Sequence, residues 1–135
     1  CVGESFTLPI LIGCMRSAGH PLTRAVLGRL ARDEVAHARF GWLYLDWVGD
    51  RLDDAERARL AAVAADGLAD YAAELAPPEG RAVDGVTPEG FLVRHIHELG
   101  WMEASEYAAV AVRAVRDRVV ARLARHRIHV PDPLG

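Results

Sequence analysis

The feature that most constrains this chain is a row of apolar residues interrupted by two polar ones. The row lies between residues 27 and 48, advances by three or four residues per step, and consists of Leu27, Leu30, Glu34, His37, Gly41, Leu45 and Val48. This spacing predicts a helix with one apolar face, so Glu34 and His37 stand where core residues are expected. An ionised carboxylate is costly to bury without a partner. The position therefore requires either hydrogen bonds or a bound cation.

A similar row precedes it and predicts a second helix over residues 2–18. Its members are Glu4, Leu8, Leu11, Met15 and Ala18. The segment 19–21, Gly-His-Pro, is expected to end this helix and to start the next one, which we predict from Leu22 to Val48. The two helices then form an antiparallel hairpin. Because proline removes a helical hydrogen bond, Pro9 predicts either a kink or a regular helix that starts close to it.

The positions of the polar residues relative to the turn predict that they meet. Glu4 lies about 15 residues before the turn and Glu34 about 14 after it, so both stand about 20 Å from the bend. Residues three apart on a helix are neighbours, so Glu34 and His37 can bind one metal ion, and Glu4 completes three ligands. Two carboxylates and one imidazole suit iron or manganese better than structural zinc. The alternative is a hydrogen-bonded Glu–His pair in a bundle without metal.

The rest of the chain is also predicted to be helical. The acidic pair at 53–54 is expected to cap a third helix ending at Leu75, with an apolar row of Leu60, Val63, Gly67, Leu68, Tyr71 and Leu75. A loop over 77–90 leads to a short helix that starts at Thr87-Pro88-Glu89 and ends at Leu99 before Gly100. A last helix, 104–125, has a predicted core face of Ala108, Val112, Val115, Val119 and Leu123. The expected fold is one all-α domain, in which residues 50–135 complete the hairpin of residues 1–49.

Composition excludes some classes of partner. A net charge of -3 and an isoelectric point near 6.1 give no positive surface for nucleic acid or an anionic membrane. No apolar run of 18 residues exists, and the opening residues lack a basic region and a cleavage site, so we expect neither a membrane-spanning helix nor a signal peptide. Cys1 and Cys14 are too far apart on one helix for a disulfide. We therefore expect two small buried thiols and a cytoplasmic protein.

Two features of the sequence resemble the metal-binding hairpin of the ferritin-like superfamily: Glu4 and the later run Asp33-Glu34-Val35-Ala36-His37. Residues 1–48 are similar to the second half of bacterial ferritin-like domain proteins. The resemblance implies a ferritin-like bundle and a di-iron or di-manganese centre, with Glu4, Glu34 and His37 as ligands and no further catalytic residue. It also implies ferroxidase or other oxidoreductase chemistry with dioxygen. Asp33 is implied to hydrogen-bond the His of the opposite half of the site.

The same resemblance predicts what this chain needs from elsewhere. A ferritin-like site takes one Glu from each of two helices and a Glu-x-x-His from each of the other two, and this chain carries one such set. The second set is expected from a preceding segment or from a second copy in a homo-oligomer. The chain has no initiator Met, which is consistent with its being the second part of a longer protein. Gly41 is expected to leave room for oxygen beside the metals. The alternative function is a metal-free helical oligomerisation module with a vestigial Glu/His site.

Overall fold

The structure is a computed structural model that describes residues 1–75, 86–87 and 90–131, without the side chains of 72–75. The described part is mostly helical and has no strand, which confirms the predicted all-α class. The helices are α1 (Val2–Ser17), α2 (Pro21–Val48), α3 (Asp54–Leu75), α4 (Val93–Glu98), α5 (Ala104–Arg113) and α6 (Ala121–Arg125). A 3₁₀ turn, Gly49–Arg51, follows α2, and a π-helical segment, Ala114–Val120, joins α5 to α6.

Helices α1 and α2 form the predicted antiparallel hairpin. Pro21 occupies the start of α2, where its missing N–H is not needed, and the Arg24 guanidinium closes the turn by donating to the Ala18 carbonyl. Helix α1 runs through Pro9 from Val2, so of the two alternatives predicted for Pro9, a regular helix that starts close to it is wrong. A proline inside a helix costs about 3 kcal/mol. Contacts of α1 with α2, α3, α5 and the π-helical segment offset that cost.

The buried face of α2 differs from the predicted one. Its buried residues are Gly28, Ala31, Trp42 and Leu45. Of the predicted row, Leu45 is buried, but Leu30 is 45% exposed and His37 is also exposed. Helix α2 carries apolar residues around much of its circumference, so spacing alone does not tell which side packs on α1. The contacts with α1 select the side of Ala31 and Trp42.

Helix α3 begins with the predicted acidic cap. The Asp53 carboxylate accepts from the Glu56 N–H at 2.7 Å, and the Glu56 carboxylate accepts from the Asp53 N–H at 2.9 Å, which is a capping box. The buried Arg57 side chain then donates to the Gly49 carbonyl at 2.7 Å and to the His126 carbonyl at 3.2 Å. Arg57 thereby joins the start of α3 to the ends of α2 and α6.

The predicted apolar row of α3 is only partly buried. Leu68 is fully buried, whereas Leu60 and Val63 are exposed. These two residues line a groove of about 960 Å³ that also takes in Phe40 and Tyr44 of α2. All four side chains remain exposed, so the groove between α2 and α3 is not filled.

The short fourth helix begins later than predicted. Most of the loop predicted over 77–90 lies outside the described residues, as do Pro88 and Glu89 of the predicted helix start. The Thr87 N–H donates to the Phe91 carbonyl at 2.8 Å, and α4 begins only at Val93. Gly100 ends this helical stretch as predicted, with a φ of +93°. A side chain there would lie 2.6 Å from the Cys14 carbonyl oxygen, so glycine is required.

The last helical stretch contributes much of the core. Val115, Val119 and Leu123 are buried, as predicted. Ala111 and Ala114 are buried too, although the predicted core face contained the half-buried Ala108 and Val112 instead. A π-helix has more residues per turn than an α-helix, so the segment 114–120 shifts which positions face inward. An α-helical period applied to the whole stretch therefore misplaces its first half.

Candidate metal centre

The structure brings together the three residues that the sequence singled out. Glu4 lies in the first turn of α1, and Glu34 and His37 lie in the middle of α2. One potential ligand atom from each residue can be chosen so that all three lie within 4.8 Å of one another. This is the meeting of side chains that the positions relative to the turn predicted. Glu4 is thirty positions away from Glu34 in the sequence, so their proximity is a product of the hairpin.

A buried hydrogen bond holds the helix that carries Glu4. The Trp42 indole N–H donates to the Ser5 hydroxyl at 2.7 Å, and both residues are buried. The guanidinium of Arg122 covers the Trp42 ring at 4.5 Å from its centroid, a cation–π contact. Since Ser5 directly follows Glu4, this bond fixes the first turn of α1 against α2. The sequence did not predict this pair, because nothing in the spacing joins a serine to a tryptophan 37 residues away.

Cys1 packs closely against Gly41 and also holds the start of α1 on α2. A side chain at Gly41 would lie 2.7 Å from the Cys1 sulfur and 2.9 Å from the Cys1 nitrogen. The space beside Gly41 is therefore taken by Cys1, so the expectation that it leaves room for oxygen is wrong. Cys1 and Cys14 are both free thiols as predicted, but Cys1 is exposed and Cys14 is only half-buried. Burial raises the pKa of the Cys14 thiol.

The cluster is open to solvent on one side. Glu4 is half-buried, the Glu34 side chain is 32% exposed, and the His37 side chain is 68% exposed. Nδ1 of His37 lies 3.4 Å from Oε2 of Glu34. Two carboxylates and an imidazole could hold a divalent cation from one side. The solvent-exposed side of the cluster would leave the other coordination positions of that cation to further ligands. The expected burial of His37 is wrong, because α1 packs on the neighbouring face of α2.

Asp33 lies outside this cluster within the single chain. Its carboxylate accepts from the Arg29 guanidinium at 2.9 Å, and 55% of the Asp33 side chain is exposed. The pair is an i, i+4 ion pair on the open side of α2. The predicted contact with a His of an opposite half concerns a second hairpin, so it stays a prediction.

No family model, curated protein or solved structure matches this chain. The ferritin-like relationship thus stays a prediction from the residues of the hairpin. Across residues 1–75, 86–87 and 90–131, none of the helices combines the length and the hydrophobicity needed to cross a membrane.

Proposed function

We propose that this chain is one half of a ferritin-like di-metal protein, and that Glu4, Glu34 and His37 bind iron or manganese. The observation that supports the proposal is the convergence of three ligand atoms, from two helices, within 4.8 Å. Two carboxylates carry the negative charge that a divalent cation requires. One imidazole among oxygen ligands is the donor set that iron and manganese accept readily.

The proposed activity is oxidation by dioxygen, either of Fe(II) itself or of a substrate. A pair of iron ions supplies this redox chemistry when bound. The contribution of the chain is to hold the two carboxylates near each other, so that they neutralise the metal charge, and to keep one side of the cluster accessible. The exposed side of His37 is where a second set of ligands and a small molecule can approach.

Metal content measured by elemental analysis tests the proposal. We expect the protein, loaded with Fe(II) or Mn(II) and freed of excess metal, to hold close to one ion per chain. Glu34→Gln should lose that ion, because it removes a charge at the centre of the cluster with little change of shape. Glu106→Gln is the matched control, since Glu106 is an exposed glutamate in the first turn of α5. Equal, near-zero metal in all three proteins would refute the proposal.

A second candidate function is the metal-free helical interaction module. The contact between Glu34 and His37 favours it, because a carboxylate oxygen 3.4 Å from an imidazole nitrogen can satisfy both groups in part without a cation. Under this alternative, added metal leaves the thermal unfolding temperature of the protein unchanged. Under the di-metal proposal, metal binds only the folded chain and raises that temperature, and Glu34→Gln abolishes the increase.

A further inference from the structure

Helix α2 carries a long exposed row, and two of its members, Phe40 and Tyr44, also line the groove beside α3. We call it the open row, and it consists of Leu22, Val26, Leu30, Asp33, His37, Phe40, Tyr44 and Trp47. Its six apolar members range from 45% exposed at Leu30 to 72% exposed at Phe40. At about 100° per residue these positions fall on one stripe of the helix. Exposed apolar patches of this kind, here one on each side of a polar centre, are typical of a site of interaction.

The open row is nearly symmetric about residue 35. Leu30 and Phe40 lie five positions on either side of it, and Val26 and Tyr44 lie nine. The polar members obey the same symmetry, because Asp33 and His37 each lie two positions from residue 35. At the ends, Leu22 and Trp47 lie 13 and 12 positions away.

We propose that the open row binds a second copy of the same helix, antiparallel, across a two-fold axis near residue 35. In a two-fold interface each residue meets its symmetry counterpart on the other subunit. Leu30 of one copy then packs on Phe40 of the other, and Val26 packs on Tyr44. Both ends of the interface are apolar, and its centre is polar.

The polar centre of the interface favours a second copy over an unrelated partner. In this register, Asp33 of one copy lies beside His37 of the other, so that a carboxylate faces an imidazole that can donate a hydrogen bond to it. Both residues have more than half of their side chains exposed in the single chain. The axis also passes beside the metal cluster, so each copy brings its own Glu4, Glu34 and His37 to a shared site. This part of the inference rests on the proposed function, whereas the apolar pairing does not.

Disulfide cross-linking between two variants tests the register. Leu30→Cys and Phe40→Cys are made separately in a background of Cys1→Ser and Cys14→Ser, mixed, allowed to exchange subunits and oxidised. In the proposed register the two new thiols face each other only in mixed dimers. The same residue on the two copies, such as Leu30 and Leu30, is separated by ten residues along the helix, or about 15 Å. This distance exceeds the 4.4–6.8 Å between Cα atoms that a disulfide typically spans.

We expect the mixture to yield covalent dimers from up to about half of the chains, the share of mixed pairs in a two-fold dimer, and each variant alone to yield few. No cross-link in the mixture, or equal cross-linking in the single variants, would overturn the inference. Metal content measured on the same samples separates the two proposals. Near one ion per chain without cross-linking refutes the dimer and leaves the metal site standing. Cross-linking without metal refutes the metal site and leaves the dimer standing.

Discussion

The hydrogen bond between Ser5 and Trp42 offers the sharpest test of how the hairpin is held. The Trp42 side chain is 1% exposed, and its indole N–H donates to the Ser5 hydroxyl at 2.7 Å. In Ser5→Ala the N–H stays buried without an acceptor, which costs about 1–3 kcal/mol. Alanine is the better helix former by about 0.5 kcal/mol. We therefore expect the free energy of unfolding to fall by about 0.5–2.5 kcal/mol.

This loss is large enough to measure by thermal unfolding. For a chain of 135 residues, an unfolding entropy of about 2.1 cal/mol/K per residue makes 1 kcal/mol equivalent to about 3.5 °C. Ser5→Ala should thus lower the melting temperature by about 2–9 °C, which far-ultraviolet circular dichroism at one fixed protein concentration measures.

Thr7→Ala is the matched control for this experiment. Thr7 lies on the exposed side of the same helix, and its hydroxyl donates to the Gly3 carbonyl at 2.9 Å. Removing that hydroxyl leaves no buried group unpaired, and alanine is the better helix former, so the melting temperature should stay the same or rise slightly. Equal melting temperatures for the two variants would refute the claim that the buried bond fixes α1 on α2.

Two further predictions concern glycines and thiols. Gly41→Ala should destabilise the protein by about 1–3 kcal/mol, because the new methyl group would lie 2.7 Å from the Cys1 sulfur. Gly67→Ala, whose methyl group would meet Val2 alone among the described residues, at 3.8 Å, should stabilise it by up to about 1 kcal/mol. Urea unfolding measures both, and stabilisation in both variants would contradict the close approach at Gly41. Cys14 should react with an aromatic disulfide reagent at pH 8 more slowly than Cys1, because burial raises the Cys14 pKa and the thiolate is the reactive form. Single-cysteine variants give the two rates, and equal rates would argue against burial of Cys14.

The hairpin could be predicted from the sequence because its signals are local. Pro21 after Gly19 predicts where one helix ends and the next begins, and α2 starts at Pro21. The helical rise per residue then predicts that Glu4 and Glu34 lie at similar distances from the turn. In the structure, one ligand atom of each lies within 4.8 Å of a ring nitrogen of His37. The backbone preferences of proline and glycine and the rise per residue of a helix do not depend on the neighbouring elements.

The buried side of each helix was harder to predict because it depends on neighbours. Helix α2 has apolar residues on the side of Trp42 and also on the side of Leu30, and only the first side is buried. The core face of the last helical stretch was misplaced for another reason. The π-helical turns at 114–120 change the period from which that face was inferred.

The sequence by itself determined the class of fold, the bounds of the hairpin and the set of residues that can meet at its centre. These follow from local backbone preferences and from helical geometry. Only the tertiary structure decided that His37 is exposed, that Cys1 takes the space beside Gly41 and that Ser5 anchors Trp42. Each of these depends on which faces of α1 and α2 come into contact, and packing among several helices selects those faces.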